Sequence, residues 1–397
     1  MTAPIWVVWA LGITQVIGYG SLYYSFGALA PSMARDFGLP EAWVYGALSA
    51  SLLVSSMVAP ISGRWADRFG AGRIMTWGSL AAALALCVAA LAPEAISFVL
   101  GLVAIEVASA FVLYATAFAA LAQVDAGSAQ RRITQLTLIA GFASTLFWPL
   151  TTALHGLVGW RGVWLIYAAL NLAVCLPIHI WLARRTRPRE RAAGVSAGVA
   201  PLVPPGGEGR ALLLMLLGFA LLGFVASAVL VHMLPMLVSL GLGTAGVLVT
   251  TLFGPAQVLS RVVNMRFGRG LSQPALSVLA TLLLPSGLLV LVLSAPWPPG
   301  AALFAIVFGL GSGLSSIVSG TLPLTLFGAD GYGQKLGWIS SARLVVSAFA
   351  PFVFSVVVAM SSTRVTLWLL VLVGLASVSC FAALWWLYGR RQPALPT

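Results

Sequence analysis

GRWADRFGAGR, residues Gly63–Arg73, is a short polar stretch held between two apolar runs, each long enough to cross a bilayer. Arg64, Asp67, Arg68 and Arg73 are costly in hydrocarbon, so the chain has to surface here and turn back. The same alternation repeats on both sides of it. Hydrophobic residues make up 60% of the chain's 397 residues, charged residues 8%, and mean hydropathy is +1.02, whereas soluble domains carry about 25% charged residues. A membrane-crossing helix needs about 20 apolar residues, and twelve such runs can be read, starting near residues 5, 41, 74, 96, 133, 161, 211, 244, 272, 300, 337 and 364. Strands of about ten alternating residues would not give such long apolar runs, so the spanning form is helical. The expected fold class is an all-α membrane protein with twelve transmembrane helices.

The net charge of +12 could suggest nucleic acid, but the positions of the cations argue otherwise. With the N-terminus in the cytoplasm, sixteen of the 21 Lys and Arg fall on cytoplasmic loops or the tail, and only Arg35, Arg161 and Arg364 fall outside. That asymmetry is expected of an even number of spans with both ends in the cytoplasm, in a bacterial inner membrane. The basic surface then faces anionic lipid, and no nucleic-acid partner is expected. The opening residues MTAPIWVVWA lack a basic n-region, so the first span is expected to remain as a helix.

Six spans fill residues 1–182, a segment rich in Arg, Pro, Gly and Ala covers 183–210, and six more spans with a short tail fill 211–397. The middle segment reads as a linker between halves. The first and seventh spans each carry a proline about one turn from their far end, Pro31 and Pro235, which suggests two pseudo-symmetric halves. Cys87, Cys175 and Cys380 lie singly within spans, so neither a disulfide framework nor a metal site is expected. GLGTAG at 241–246 follows a membrane helix and not a strand, and it receives no nucleotide role. No cofactor and no enzymatic constellation is expected.

The order Gly63, Ala66, Asp67, Arg68, Gly70, Arg73 resembles the G-x-x-A-D-R-x-G-R-[RK] signature between the second and third helices of the major facilitator superfamily. Ala71 and Gly72 stand where that family usually carries further arginines. A weaker echo, SRVVNMRFGR, occurs at Ser260–Arg269. The resemblance implies two parallel six-helix halves around a central path, with substrate bound near mid-membrane. Gly63, Asp67, Arg68, Gly70 and Arg73 become gating candidates. Asp67 is expected to meet the positive N-terminal end of the eleventh helix, placed near Gly337.

Ionisable residues inside the membrane are functional candidates, because each costs about 2.5–3.5 kcal/mol at a helix centre. They are Glu106, Arg261 and Arg343. In superfamily members of the oxalate/formate and monocarboxylate type, a cation on the eighth helix and another on the eleventh bind a carboxylate. Arg261 and Arg343 occupy matching helices here, and Gln257 stands one turn before Arg261 where monocarboxylate carriers have an Asp. The competing reading is that each arginine snorkels to the interface. Glu106, the one acid deep in a span, is a proton-coupling candidate or a structural hydrogen-bonding group. Gln15, Tyr19 and Tyr23 recur at helical spacing on the first span and form a candidate substrate-facing stripe with Tyr24 beside it, against a packing or interface-belt role. His155, His179 and His232 read as packing histidines. The serines of the tenth span read chiefly as bonding back to their own helix.

These residues predict a secondary active transporter that moves a small organic anion by alternating access and acts as a monomer, with a proton as a possible partner. Two rivals stand beside it. The first is proton-coupled efflux of drugs or amphipathic metabolites driven by Glu106, although GFASTLFWPLT at 141–151 keeps only a fragment of the antiporter motif. The second is a membrane sensor or scaffold that transports nothing.

Overall fold

The computed structural model describes residues 5–186, 201–243 and 245–389. Part of the expected linker, including Arg187, Arg189 and Arg191, therefore lies outside the described residues, as does Thr244 of GLGTAG. The chain is an all-helical membrane protein; among the described residues there is no strand. Ten helical stretches are long and apolar enough to cross a membrane. One of them, Ala129–Ala183, holds two spans that meet at Gly159, where φ is +65° and ψ is 175°. A further span, 245–267, is broken into Ala245–Thr251 and Phe253–Phe267. Twelve spans result among the described residues. Pro255 accounts for the last break: its ring clashes with the carbonyl four residues back, at Thr251.

Two boundaries differ from the sequence reading. The polar stretch at 63–73 is almost wholly helical, because the second span runs Glu41–Phe69 and the third Ala71–Ala90. Only Gly70 turns the chain, with φ at +91°, a value that L side chains rarely adopt. Arg64, Arg68 and Arg73 are exposed, so the helices can carry their charges into the interface. The eleventh span begins at Tyr332 and not near Gly337, directly after the turn at Gly331.

The chain divides into two compact units, Met1–Val199 with Ala329–Ser341, and Ala200–Gly328 with Ala342–Thr397. The first unit thus includes the opening turns of the eleventh span. Its core gathers Leu22, Phe26, Leu29, Met33, Leu86, Phe98 and Trp164, with the rings of Phe98 and Trp164 stacked at 6.1 Å. The second is centred on Phe219, Phe304, Phe308 and Phe381, all nearly inaccessible. Gly309, Gly311 and Gly313 let neighbouring helices approach the tenth span closely.

Each unit is laced at the end where its first helix finishes. In the first unit, Arg161 donates from Nη1 to Ala90 O at 2.7 Å and Ala92 O at 2.8 Å, while Nη2 meets Asp36 Oδ2 at 2.9 Å. One arginine at the start of the sixth span thereby joins the ends of the first and third. In the second unit Arg364 donates to Ala295 O at 3.0 Å, and Ser239 and Thr363 share a hydroxyl hydrogen bond at 2.9 Å. Again the start of the last span joins the ends of the first and third, here the seventh and ninth. Arg161 and Arg364 are thus carbonyl clamps.

Candidate functional site

In the second unit Arg261 lies on the Phe253–Phe267 helix, only 6% exposed. Its Nε approaches Ser316 Oγ at 3.2 Å and Gly313 O at 3.5 Å, both on the tenth span. Among the described residues no carboxylate pairs with it, and its two terminal nitrogens have no hydrogen-bond partner. One turn earlier, Gln257 donates from Nε2 to Ser312 Oγ at 2.8 Å. Most tenth-span serines bond back to their helix: Ser315 to Gly311 O at 2.7 Å, Ser316 to Gly313 O at 2.7 Å and Ser319 to Ser316 O at 2.9 Å. Ser312 and Ser316 are thus the serines that also take side chains from the eighth span.

Arg343 is exposed within the second unit. Its stem lies along the seventh span at Gly223, where a Cβ would stand 2.5 Å from Arg343 Cγ. Among the described residues its guanidinium has no hydrogen bond or ion pair. His232 Nε2 lies 2.9 Å from Ser355 Oγ and Nδ1 3.1 Å from Ala228 O, while its ring stacks on Phe354 at 4.4 Å.

In the first unit two backbone irregularities converge on tyrosines. The first span changes to a π turn at Gly20–Tyr24. In an α-helix residues five apart lie about 140° round the axis, whereas a π turn brings i and i+5 together. Tyr24 consequently comes to 6.5 Å from Tyr19, which also meets Tyr23 at 6.4 Å. The fourth span breaks between Ala95–Val112 and Tyr114–Val124. Tyr114 opens the second piece and packs on Tyr19 at 4.6 Å. The carbonyls freed by the break are taken by side chains: Ala110 O by Ser62 Oγ at 2.7 Å and Thr116 Oγ1 at 3.2 Å, Val112 O by Gln15 Nε2 at 2.8 Å. Gln15 Oε1 is buried with no partner among the described residues.

Tyr19–Tyr24 fall at the midpoint of a 32-residue span, away from the interfaces where aromatic belts sit. Tyr23 is 55% exposed. Irregular backbone at membrane depth persists only where protein buries it or water reaches it, so phenols beside two irregularities suit a wet path. Glu106 is 6% exposed on the fourth span. Ser55 Oγ bonds its backbone carbonyl at 2.7 Å, and its carboxylate has no partner among the described residues. Sequence reasoning noted Tyr24 only as a neighbour and passed over Tyr114; neither Gly nor Pro announces the break before it.

Also within the first unit, Asp67 accepts from two successive amides at the start of the eleventh span, Gly333 N at 3.0 Å and Gln334 N at 2.8 Å. These are N–H groups that a helix start leaves without an internal partner. A carboxylate there also meets the positive end of the helix dipole. Gly63 lies one turn earlier, its bare backbone directly against Gly333. Arg68 sits over the Phe69 ring at 5.1 Å, while Arg73 is exposed. No group of three metal-ligating side chains occurs among the described residues.

The sequence profile of the Major Facilitator Superfamily matches residues 11–351. Among curated proteins no sequence matches. Among solved structures, the fold is similar to that of the human organic anion transporter MFSD10 (TETRAN), with a TM-score of 0.71 and 17% identity over 95% of this chain and 98% of that one. The E. coli fucose:proton symporter FucP is similar with a TM-score of 0.69 and 11% identity, over 94% and 97% of the two chains. The proton:xylose symporter XylE gives 0.68 and 15%, over 96% and 95%. At such identities these likenesses speak for the fold alone. A family profile covering most of the chain, twelve helical spans and the Gly63–Arg73 signature agree: the chain belongs to the major facilitator superfamily and is a membrane transporter, not an enzyme.

Proposed function

We propose that this transporter moves a small organic anion, a carboxylate, by alternating access as a secondary active carrier, with Arg261 as the anion's anchor. The observation that carries this reading is that Arg261 is only 6% exposed with no carboxylate paired to it among the described residues. A buried cation without a counter-charge is costly; an arriving carboxylate supplies that charge through paired hydrogen bonds. Gln257 supports the same polar patch, Arg343 is a second cation for the anion, and Tyr19 and Tyr23 with Gln15 are substrate-path candidates. Asp67 acts as a gating contact, with Gly63, Arg68, Gly70 and Arg73 shaping its turn. The side bearing Asp67 is read as cytoplasmic, with both termini on it. The test is a thermal-shift screen of the purified protein against small mono- and dicarboxylates, since a ligand bound only to the folded form raises apparent stability. Carboxylates are expected to raise the melting temperature in the parent and not in Arg261→Gln.

A second reading, proton-coupled efflux, is favoured by one observation, the buried Glu106 carboxylate with no partner among the described residues. Stabilisation by cationic amphiphiles and not by carboxylates would select it.

A further inference from the structure

We propose that Gln123 and Thr186 are positioning residues that clamp the turn carrying Asp67 with uncharged hydrogen bonds, and thereby set how often Asp67 releases the start of the eleventh span. The second half of this statement rests on the gating reading of Asp67. Gln123, near the end of the fourth span, donates from Nε2 to Ala66 O at 2.8 Å and accepts at Oε1 from Ala71 N at 2.8 Å. One amide therefore bridges the Gly70 turn from the last turn of the second span to the first residue of the third. Ala66 O belongs to the peptide whose nitrogen is that of Asp67, so holding it fixes the root of the carboxylate. Thr186 Oγ1 accepts from Gly72 N at 2.8 Å and donates to Leu182 O at 3.2 Å, which uses its hydroxyl in both directions. Ala71 and Gly72 open the third span, and their amides have no acceptor inside that helix. A side chain of the fourth span and one just past the end of the sixth supply both.

The clamp also explains why the signature departs from its family here. A Cβ on Gly72 would stand 2.6 Å from Ala183 N and 2.7 Å from Ala183 Cα, closer than real Cβ atoms approach. The end of the sixth span fills the room that an arginine at 72 would need. A tight backbone contact and neutral bonds stand where the family signature has cations. Beside the clamp lies a cavity of about 510 Å³, whose walls include Asp67, Gln123, Arg184 and Tyr332. It offers a water-soluble reagent a route to this corner.

The test uses the full-length purified protein carrying Gln334→Cys and follows alkylation by a membrane-impermeant maleimide. Native Cys175, buried in the sixth span, is the internal control for general loosening. Losing one such hydrogen bond is expected to raise the rate at position 334 about 2- to 12-fold. Thr186→Val should show that rise, Gln123→Leu the upper end of it, and Thr186→Ser should restore the parent rate, all with Cys175 labelling unchanged. An unchanged rate in both Gln123→Leu and Thr186→Val overturns the proposal, as does a parallel rise at Cys175 or a failure of Thr186→Ser to rescue. Asp67→Asn in the same background separates the two ideas. If it leaves the rate at the parent value while Gln123→Leu raises it, the clamp stands and the Asp67 gate falls; if only Asp67→Asn raises it, the clamp falls alone.

Discussion

Arg261 and Arg343 look alike in the sequence, one cation in each of two apolar spans, but their surroundings separate them. Arg261 is buried against two tenth-span groups, while Arg343 is exposed and lies along the seventh span. Snorkelling suits an exposed arginine far better than a buried one. Arg261→Gln is therefore expected to cost about 2–5 kcal/mol of anion binding, and Arg343→Gln less. Arg261→Lys should recover only part, because it keeps the charge and loses the paired geometry. Calorimetric affinities of these variants for a carboxylate that stabilises the parent decide the matter; equal affinity in Arg261→Lys and parent would remove the anchor. Glu106 makes a separate claim. With no partner for its carboxylate, Glu106→Gln is expected to leave the fold intact and to abolish the pH dependence of substrate accumulation in proteoliposomes, while exchange persists. An unaltered pH profile would take Glu106 out of the mechanism.

At the scale of elements, the existence and order of the spans were legible because hydropathy reports them directly. Their interruptions were only partly so. The break in the eighth span has a visible cause in Pro255. The break at Leu113 has none, since it depends on Gln15 and Ser62 of other spans, with the local Thr116, donating to its free carbonyls. Gln15 was legible as a polar residue on a helical stripe, yet the stripe could not reveal which span it would meet. Tyr24 joined Tyr19 only because a π turn changed the periodicity on which stripe reasoning relies. The meeting of Asp67 with the start of the eleventh helix was legible, whereas that start was misplaced by five residues, from 337 to 332. Asp67→Asn keeps one acceptor oxygen and removes the charge from the helix start. It is expected to slow substrate exchange while leaving equilibrium binding nearly unchanged, as measured by paired flux and binding assays. Loss of binding as complete as that of Arg261→Gln would contradict the gating role.

For the whole molecule, composition already excluded a soluble protein, and the duplicated proline positions suggested the repeat. What no composition could show is that Arg161 and Arg364 perform the same clamp in two halves of unlike sequence. Arg161→Gln removes bonds to two carbonyls and a carboxylate, from a side chain 37% exposed. After allowance for that exposure, the expected loss is about 1–2 kcal/mol of stability, seen as a lower unfolding midpoint with Arg161→Lys intermediate. The repeat is also unequal in one respect. The first unit ties its first and last helices with an ion pair, Asp36 and Arg161; the second uses two hydroxyls, Ser239 and Thr363. Exposed ion pairs weaken as mobile ions screen them, while hydroxyl pairs do not. Raising the ionic strength of the solution that bathes Asp36 would therefore weaken this tie in the first unit, while the hydroxyl tie of the second has no charge to screen, so dissolved salt becomes a handle on a single side of a duplicated machine.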